Sequence, residues 1–284
     1  MLKRFAATRF AAIERFCVFV GQPRSGHSVV GTLVNAHRHA VVSHNLDALA
    51  YLRAGVGRGE LFQLILERDR SFSAGERKMG RYSYAVPGQW LGYYDEIRVL
   101  GDKRAGATSR HLAAQPTLLR DLPAVVGLPV VVIHHVRNPW DNIASIWQWG
   151  HTRRGRDLPE VAEAYFARSE AAARGLAEAG SAVRLLRSFQ EELIRDPRAL
   201  MRRVLDGLCL PVDDSFLEAC ERFVHREPRP TRHAVPWPDG LVAGIAERAQ
   251  RCDFLAHYRF DSDASRAGPG SVGARDRYAS MGRP

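Results

Sequence analysis

Cysteine is scarce and poorly spaced for chemistry. The four present, Cys17, Cys209, Cys220 and Cys252, show neither CxxC spacing nor a dense framework, which argues against a zinc site and a disulfide scaffold and fits a reducing cytoplasm. Long apolar runs are also missing. Arg, Glu, Asp or His breaks each run before it reaches the roughly 18 residues that a membrane-crossing helix needs, so a soluble protein is expected. No internal repeat is present. The net charge of +10 comes from arginines dispersed along the chain, without the basic, aromatic-interleaved element expected of a nucleic-acid binder. A phosphate-rich small ligand remains a fitting anionic partner. The basic opening, residues 1–16, lacks the apolar centre of a signal peptide and is expected to form a short N-terminal helical extension.

What the chain does have is enough apolar residue, 45% of 284, for one sizeable core. Short β-branched runs alternate with helical patterns, the signature of βαβ units. Strands are expected at 17–20, 40–43, 97–100, 130–136 and 182–186, and helices at 28–36, 159–179, 197–208 and about 238–252. In the helix from Pro197, residues Leu200, Met201, Val204, Leu205 and Leu208 make one apolar face, and Asp196-Pro197 supplies an N-cap with proline at the first helical position. The expected fold is α/β, a three-layer sandwich with a central parallel sheet, P-loop-like, and helices on both faces. One domain spans residues 17–260. Residues 55–92 lack sustained periodicity and are expected to be an insertion near an acceptor site, and 261–284 a disordered tail.

The strand at Cys17–Val20 runs into Gly21-Gln22-Pro23-Arg24-Ser25-Gly26-His27-Ser28 and then an apolar-faced helix. This nearly matches the Walker A loop, whose backbone amides and helix N-terminus wrap phosphate oxygens. His27 stands where the lysine that grips the β and γ phosphates of a triphosphate belongs. A neutral imidazole is a poor substitute, whereas Arg24 can neutralise a terminal phosphate or sulfate, and Ser25 and Ser28 can donate hydroxyl bonds. The loop therefore suits an anionic group without the usual triphosphate chemistry.

The fourth expected strand, Val130–Val136, ends in Arg137-Asn138-Pro139-Trp140-Asp141-Asn142-Ile143-Ala144-Ser145. Asn138 is placed to cap a helix that starts at Pro139, so Arg137 sits at the carboxyl end of a strand, where open α/β sheets bind ligands. Ser145, two turns on, can face the same crevice. His134 and His135, inside this strand, are expected to be buried structural residues that point to opposite sides.

With these two motifs in order, the chain resembles the PAPS-dependent sulfotransferase family. Its 5′-phosphosulfate loop is similar to Gly21–Ser28, and its 3′-phosphate motif to Arg137, Asn138, Pro139 and Ser145. The segment from Phe189 to Pro197, with Leu208–Pro211, resembles the family's late strand-to-helix segment; Thr231–Trp237 and Tyr258–Phe260 resemble its C-terminal closure. The resemblance covers about residues 17–260 and departs from the family at His27, where threonine or serine is usual. It implies 3′-phosphoadenosine 5′-phosphosulfate (PAPS) as donor, PAP as product and no metal. Gln22, Pro23, Arg24, Ser25, Gly26, His27 and Ser28 would hold the 5′-phosphosulfate. Arg137 and Ser145 would hold the 3′-phosphate, with Arg232 closing over it and Phe189 in the late segment.

The resemblance also implies a base at the end of the second strand, for which the chain offers His44 and Asp47. His44 is the better candidate because an imidazole accepts a proton near neutral pH; Asp47 would orient or replace it. Lys103 would reach the bridging oxygen or the acceptor. The acceptor is a small molecule or a glycan, recognised by residues within 46–92 and 147–157. A competing reading is a P-loop kinase or NTPase without its Walker lysine, with Asp102 as the candidate Walker B carboxylate. A third is a non-catalytic nucleotide-binding module.

Overall fold

A strand whose successive side chains are all apolar must be covered on both faces, and the central strands of this chain follow that rule. The structure, a computed structural model, describes residues 10–80 and 82–261, the side chains of 150–154 excepted. Its main strands are β1 (Arg15–Gly21), β2 (Ala40–His44), β5 (Val99–Lys103), β6 (Val130–Val136) and β7 (Val183–Phe189). All pair in parallel, in the order β2-β5-β1-β6-β7. Two short strands, β3 (Lys78–Met79) and β4 (Tyr82–Ser83), form a separate antiparallel hairpin.

Side-chain alternation sends Cys17 and Phe19 of β1 and Val131 and Ile133 of β6 to one face. There they meet α1 (His27–Asn35), α9 (Pro197–Gly207) and α10 (Asp214–Phe223). Phe16, Val18, Val20, Val130 and Val132 go to the other face, against α3 (Arg58–Ala74), α4 (Ala105–Ala114), α5 (Leu118–Val126) and α7 (Leu158–Ala179). The remaining helices are α2 (Ala48–Arg53), α6 (Pro139–Arg154), α8 (Gln190–Arg195) and α11 (Leu241–Gln250). A third apolar cluster joins Trp140, Tyr165, Phe254 and Tyr258 beyond the sheet's carboxyl edge.

The chain leaves β1 for β2 on one side, whereas β5 crosses to β6 on the other. That reversal opens a crevice outside the carboxyl ends of β1 and β6, the usual ligand position in such sheets.

Four expectations need revision. The third strand is 99–103 rather than 97–100: Gly101 lets β5 pack directly against Cys17, where any Cβ would collide, and polar Asp102 and Lys103 still belong to the strand. Residues 55–92 contain the 17-residue helix α3, whose Leu61, Phe62, Ile65 and Leu66 cover the sheet. The last helix is 241–250. β1 begins at Arg15, so residues 15 and 16 are not part of a helical extension; residues 1–9, like the tail from 262, lie outside the described residues.

Candidate functional site

The loop after β1 is shaped by its backbone. Gly21 (φ 132°) and Gly26 (φ 101°) occupy conformations that L side chains rarely adopt, and Arg24 is left-handed at φ 64°. A Cβ on Gly26 would strike the Gln190 carboxamide and lie 3.0 Å from His135 Nε2. The turn is thus pressed onto the end of β6 with only hydrogen at that point. It delivers the chain to α1, whose first turn holds no acidic residue and whose N-cap makes no side-chain bond. Its leading amides have no intrahelical acceptor, and the helix dipole is positive there.

Side chains of the loop divide by task. Gln22 is turned away: it donates to the Tyr165 carbonyl at 2.7 Å and to Ser169 Oγ at 2.9 Å, and accepts from Arg168. The Pro23 carbonyl accepts from Asn142 Nδ2 at 2.7 Å. Ser25 Oγ pairs with His27 Nδ1 at 3.2 Å. Burial, and then nearby Lys103, hold His27 well below the usual histidine range, so the residue in the Walker lysine position is neutral. Arg24 reaches outward instead, where its Nε donates to Ser145 Oγ at 3.3 Å.

That bond joins the two motifs. Asn138 Oδ1 accepts from the amides of Trp140 and Asp141 at 3.1 and 3.2 Å, the cap expected at the start of α6. Arg137 Nη1 donates to the Arg24 carbonyl at 3.2 Å, and Nη2 to the Arg229 carbonyl at 2.8 Å and Thr231 Oγ1 at 3.2 Å. Burial pulls the Arg137 pKa down. The glycine loop, the Arg137–Ser145 turn and the 229–231 segment therefore surround one region at the mouth of the β1–β6 crevice.

The third component, Lys103, lies beyond the strand expected at 97–100 and is a strand residue. Lys103 ends β5, is 2% exposed, and lies against α1 where a Cβ on Gly31 would sit 2.6 Å from its Cγ. Its Nζ donates to Ser28 Oγ at 2.9 Å and Asn45 Oδ1 at 3.0 Å, and lies 3.3 Å from His44 Nε2. Burial pulls Lys103 down to about 7, against the raising pull of Asp102 and with Arg104 and Arg68 adding to the depression. Burial and Lys103 together lower His44 to about 3. A lysine from the neighbouring strand thus supplies the cation that position 27 lacks. Lysine occurs in this chain only at 3, 78 and 103, and that rarity was a signal that sequence reading could have weighed.

Charged side chains fix the turn that carries His44. Asp102 Oδ1 accepts from Ser43 Oγ and the Leu46 amide at 2.8 and 3.0 Å; Oδ2 accepts from the amides of Asp47 and Ala48, each at 2.9 Å. Both oxygens of the candidate Walker B carboxylate are therefore engaged, Oδ1 by the turn after β2 and Oδ2 by the start of α2. Arg68 Nε donates to the His44 carbonyl at 3.0 Å and Arg104 Nη1 to that of Asn45 at 2.9 Å. Asn45 and Asp47 are left-handed, at φ 62° and 74°, a conformation these residue types tolerate best.

The structure does not join Asp47 to His44. The Asp47 carboxylate meets His111 Nε2 at 2.9 Å and Arg104 Nε at 3.4 Å. Arg232, 3% exposed, binds Asp141 Oδ2 at 2.7 Å and the Phe260 carbonyl at 2.7 Å, so it stands beside Arg137 with its charge balanced. Phe189 ends β7, edge-on to His257 with centroids 5.1 Å apart. Trp140 is buried, 5.9 Å from Phe260. His134 and His135 are both buried, the first against Phe254, the second bonded to Ser188 and Gln190.

Three aromatic residues escaped the sequence reading because they lie in the aperiodic 55–92 region. The Phe72 ring stacks on His44 at 4.3 Å and Tyr84 approaches it at 5.0 Å. Arg24 lies over the Tyr82 ring at 5.9 Å. The β3–β4 hairpin thus closes one side of the phosphate loop.

No family model matches the chain, and a search of curated proteins finds no match. Among solved structures it is similar to the sulfotransferase domain of the olefin synthase of Synechococcus PCC 7002. Identity there is 19%, over 84% of this chain and 94% of that one, with a TM-score of 0.53. A sulfotransferase domain from the curacin biosynthetic pathway aligns at 16% identity, over 89% of this chain and 96% of that one, with a TM-score of 0.47. Sulfotransferase STF9 from Mycobacterium avium aligns at 12%, over 90% and 81%, with a TM-score of 0.48. The chain has the sulfotransferase fold.

Proposed function

We propose that the protein transfers a sulfuryl group from PAPS to a hydroxyl acceptor. The observation that carries this reading is the junction of the two anion cradles, Arg24 with Ser145 at 3.3 Å and Arg137 with the Arg24 carbonyl at 3.2 Å. Such a site fits a nucleotide phosphorylated at two ends. The residues present suit the donor: a glycine-formed cradle that a Cβ would fill, an uncapped helix N-terminus, and three cations, Arg24, Lys103 and Arg137, that form no ion pair among the described residues.

The amides of residues 24–28, Arg24 and Ser28 would hold the 5′-phosphosulfate; Arg137 and Ser145 would hold the 3′-phosphate, with Arg232 bracing the 229–234 segment through Asp141. The donor supplies an activated sulfuryl group and leaves as the 3′,5′-bisphosphate. Lys103 is positioned by Ser28 and Asn45 to stabilise negative charge on the leaving phosphate, the kind of preorganised electrostatics that dominates such transfers. His44 is the proposed proton acceptor from the acceptor hydroxyl. In the free protein burial, and then Lys103, suppress its basicity; an anion beside Lys103 offsets the second effect and raises His44.

Asp102, with both oxygens held by the turn after β2 and the start of α2, leaves the kinase reading without its carboxylate. The test is transfer of radiolabelled sulfate from PAPS to a cell extract by wild type and His44→Ala. Label in product, lost in the variant while PAP affinity stays within about twofold, supports the reading; equal turnover by the variant puts the base elsewhere, and no transfer by the wild type overturns it.

A further inference from the structure

Beside the proposed base stands a fourth cation, Arg68, that neither phosphate cradle holds. Resting on the sulfotransferase reading, we propose that Arg68 binds an oxyanion of the acceptor, so that the acceptor is a hydroxyl compound bearing a carboxylate or phosphate group. Arg68 lies on α3, and its Nε donates to the His44 carbonyl at 3.0 Å, which fixes the guanidinium beside the proposed base. The residue is exposed, and its terminal nitrogens have no hydrogen-bond partner among the described residues.

Its neighbours are different. Arg77 is buried against Asp69 at 2.9 Å and Arg104 faces Asp47 at 3.4 Å, so each has its own carboxylate, and Arg68 forms no ion pair among the described residues. Its charge acts on the reacting groups, contributing to the lowered pKa of both His44 and Lys103. Arg24 and Arg137 are tied to Ser145 and to the phosphate loop, which leaves Arg68 to the opposite, acceptor side of His44.

The wall around Arg68 fits this assignment. Phe72 follows one turn later on the same helical face and stacks on His44, and Tyr84 approaches the same imidazole at 5.0 Å and Phe72 at 6.3 Å. A molecule that brings its hydroxyl to His44 would pass two aromatic rings and one uncompensated guanidinium, whose planar fork suits a carboxylate or phosphate in two-point contact.

The test uses the full chain, labelled PAPS and a small-molecule extract of the source cells in three portions: untreated, methyl-esterified to block carboxylates, and phosphatase-treated. Label incorporation should vanish in one treated portion, which names the oxyanion. Arg68→Gln should label the untreated extract about tenfold more slowly or worse, the loss of one charge-assisted contact, with PAP affinity unchanged. Arg68→Lys, which keeps the charge but not the Nε tether, should fall between. Equal labelling of all three portions, or equal loss in both variants, overturns the proposal. A wild-type protein that neither binds PAP nor labels any portion sinks the sulfotransferase reading itself, and this proposal with it.

Discussion

At the residue scale, the proposed chemistry turns on two cations. Arg137 spans the mouth of the crevice, Nη1 donating to the Arg24 carbonyl and Nη2 to that of Arg229, and hydrogen bonds to charged groups contribute roughly 1.5–3 kcal/mol each. Arg137→Ala should therefore weaken PAP binding by about 10- to 150-fold and leave adenosine 5′-phosphate, which lacks the 3′-phosphate, nearly unaffected; isothermal titration of both ligands reads the difference. Lys103 makes a pH prediction. Its pKa drops from 10.5 in the unfolded chain to about 7 in the folded one, so between those values the unfolded state holds more protons. Stability supplied by this group then rises with pH across about 7–10.5 and is lost as pH falls through that window. Donor binding runs the opposite way, because an anion recharges the lysine: PAP binding near pH 8 should take up a fraction of a proton, and affinity should decline above pH 7. Lys103→Met should flatten both profiles. Calorimetry in buffers of different ionisation enthalpy measures the uptake, and an uptake identical in wild type and variant would remove Lys103 from the donor site.

At the element scale, α1 and β5 are held in contact by an absent side chain. Gly31 would ordinarily be a weak helix residue, with alanine better by about 1 kcal/mol, yet a Cβ there would lie 2.6 Å from Lys103 Cγ. Gly31→Ala should leave the melting temperature within a few degrees of wild type and cut sulfate transfer at least about tenfold, since misplacement by about 1 Å at a reacting centre costs that much or more; unchanged transfer would show that the position of Lys103 does not matter. The same elements explain what sequence could and could not disclose. β6 was legible to the residue because Val130–Val136 is an unbroken buried run, and the α6 cap because Asn138-Pro139 is a local signal. β5 was misplaced because Gly101, Asp102 and Lys103 look like a turn, although each is fixed by a distant partner: Cys17, the α2 amides and Ser28. Helix α3 was hidden because charged residues interrupt its apolar stripe of Leu61, Phe62, Ile65 and Leu66. Arg68, Phe72 and Tyr84 gain their meaning only where that helix and the hairpin fold back over His44.

At the scale of the whole molecule, the sheet's 2-5-1-6-7 order brings residues from positions 24, 44, 103, 137 and 231 to one carboxyl edge. The C-terminal segment seals that edge through the buried Arg232–Asp141 pair, 2.7 Å apart. In the proposed reading, the loop's neutral His27, the lysine brought in from β5 and the second cradle at Arg137 suit a bisphosphorylated adenosine rather than a triphosphate. Titration of the intact protein with PAP, ADP and ATP in the presence of a metal chelator separates these directly. Binding of PAP at least about tenfold tighter than ADP or ATP, about 1.4 kcal/mol, is the predicted result; ATP binding as tightly as PAP, or PAP binding only when magnesium is restored, would contradict it.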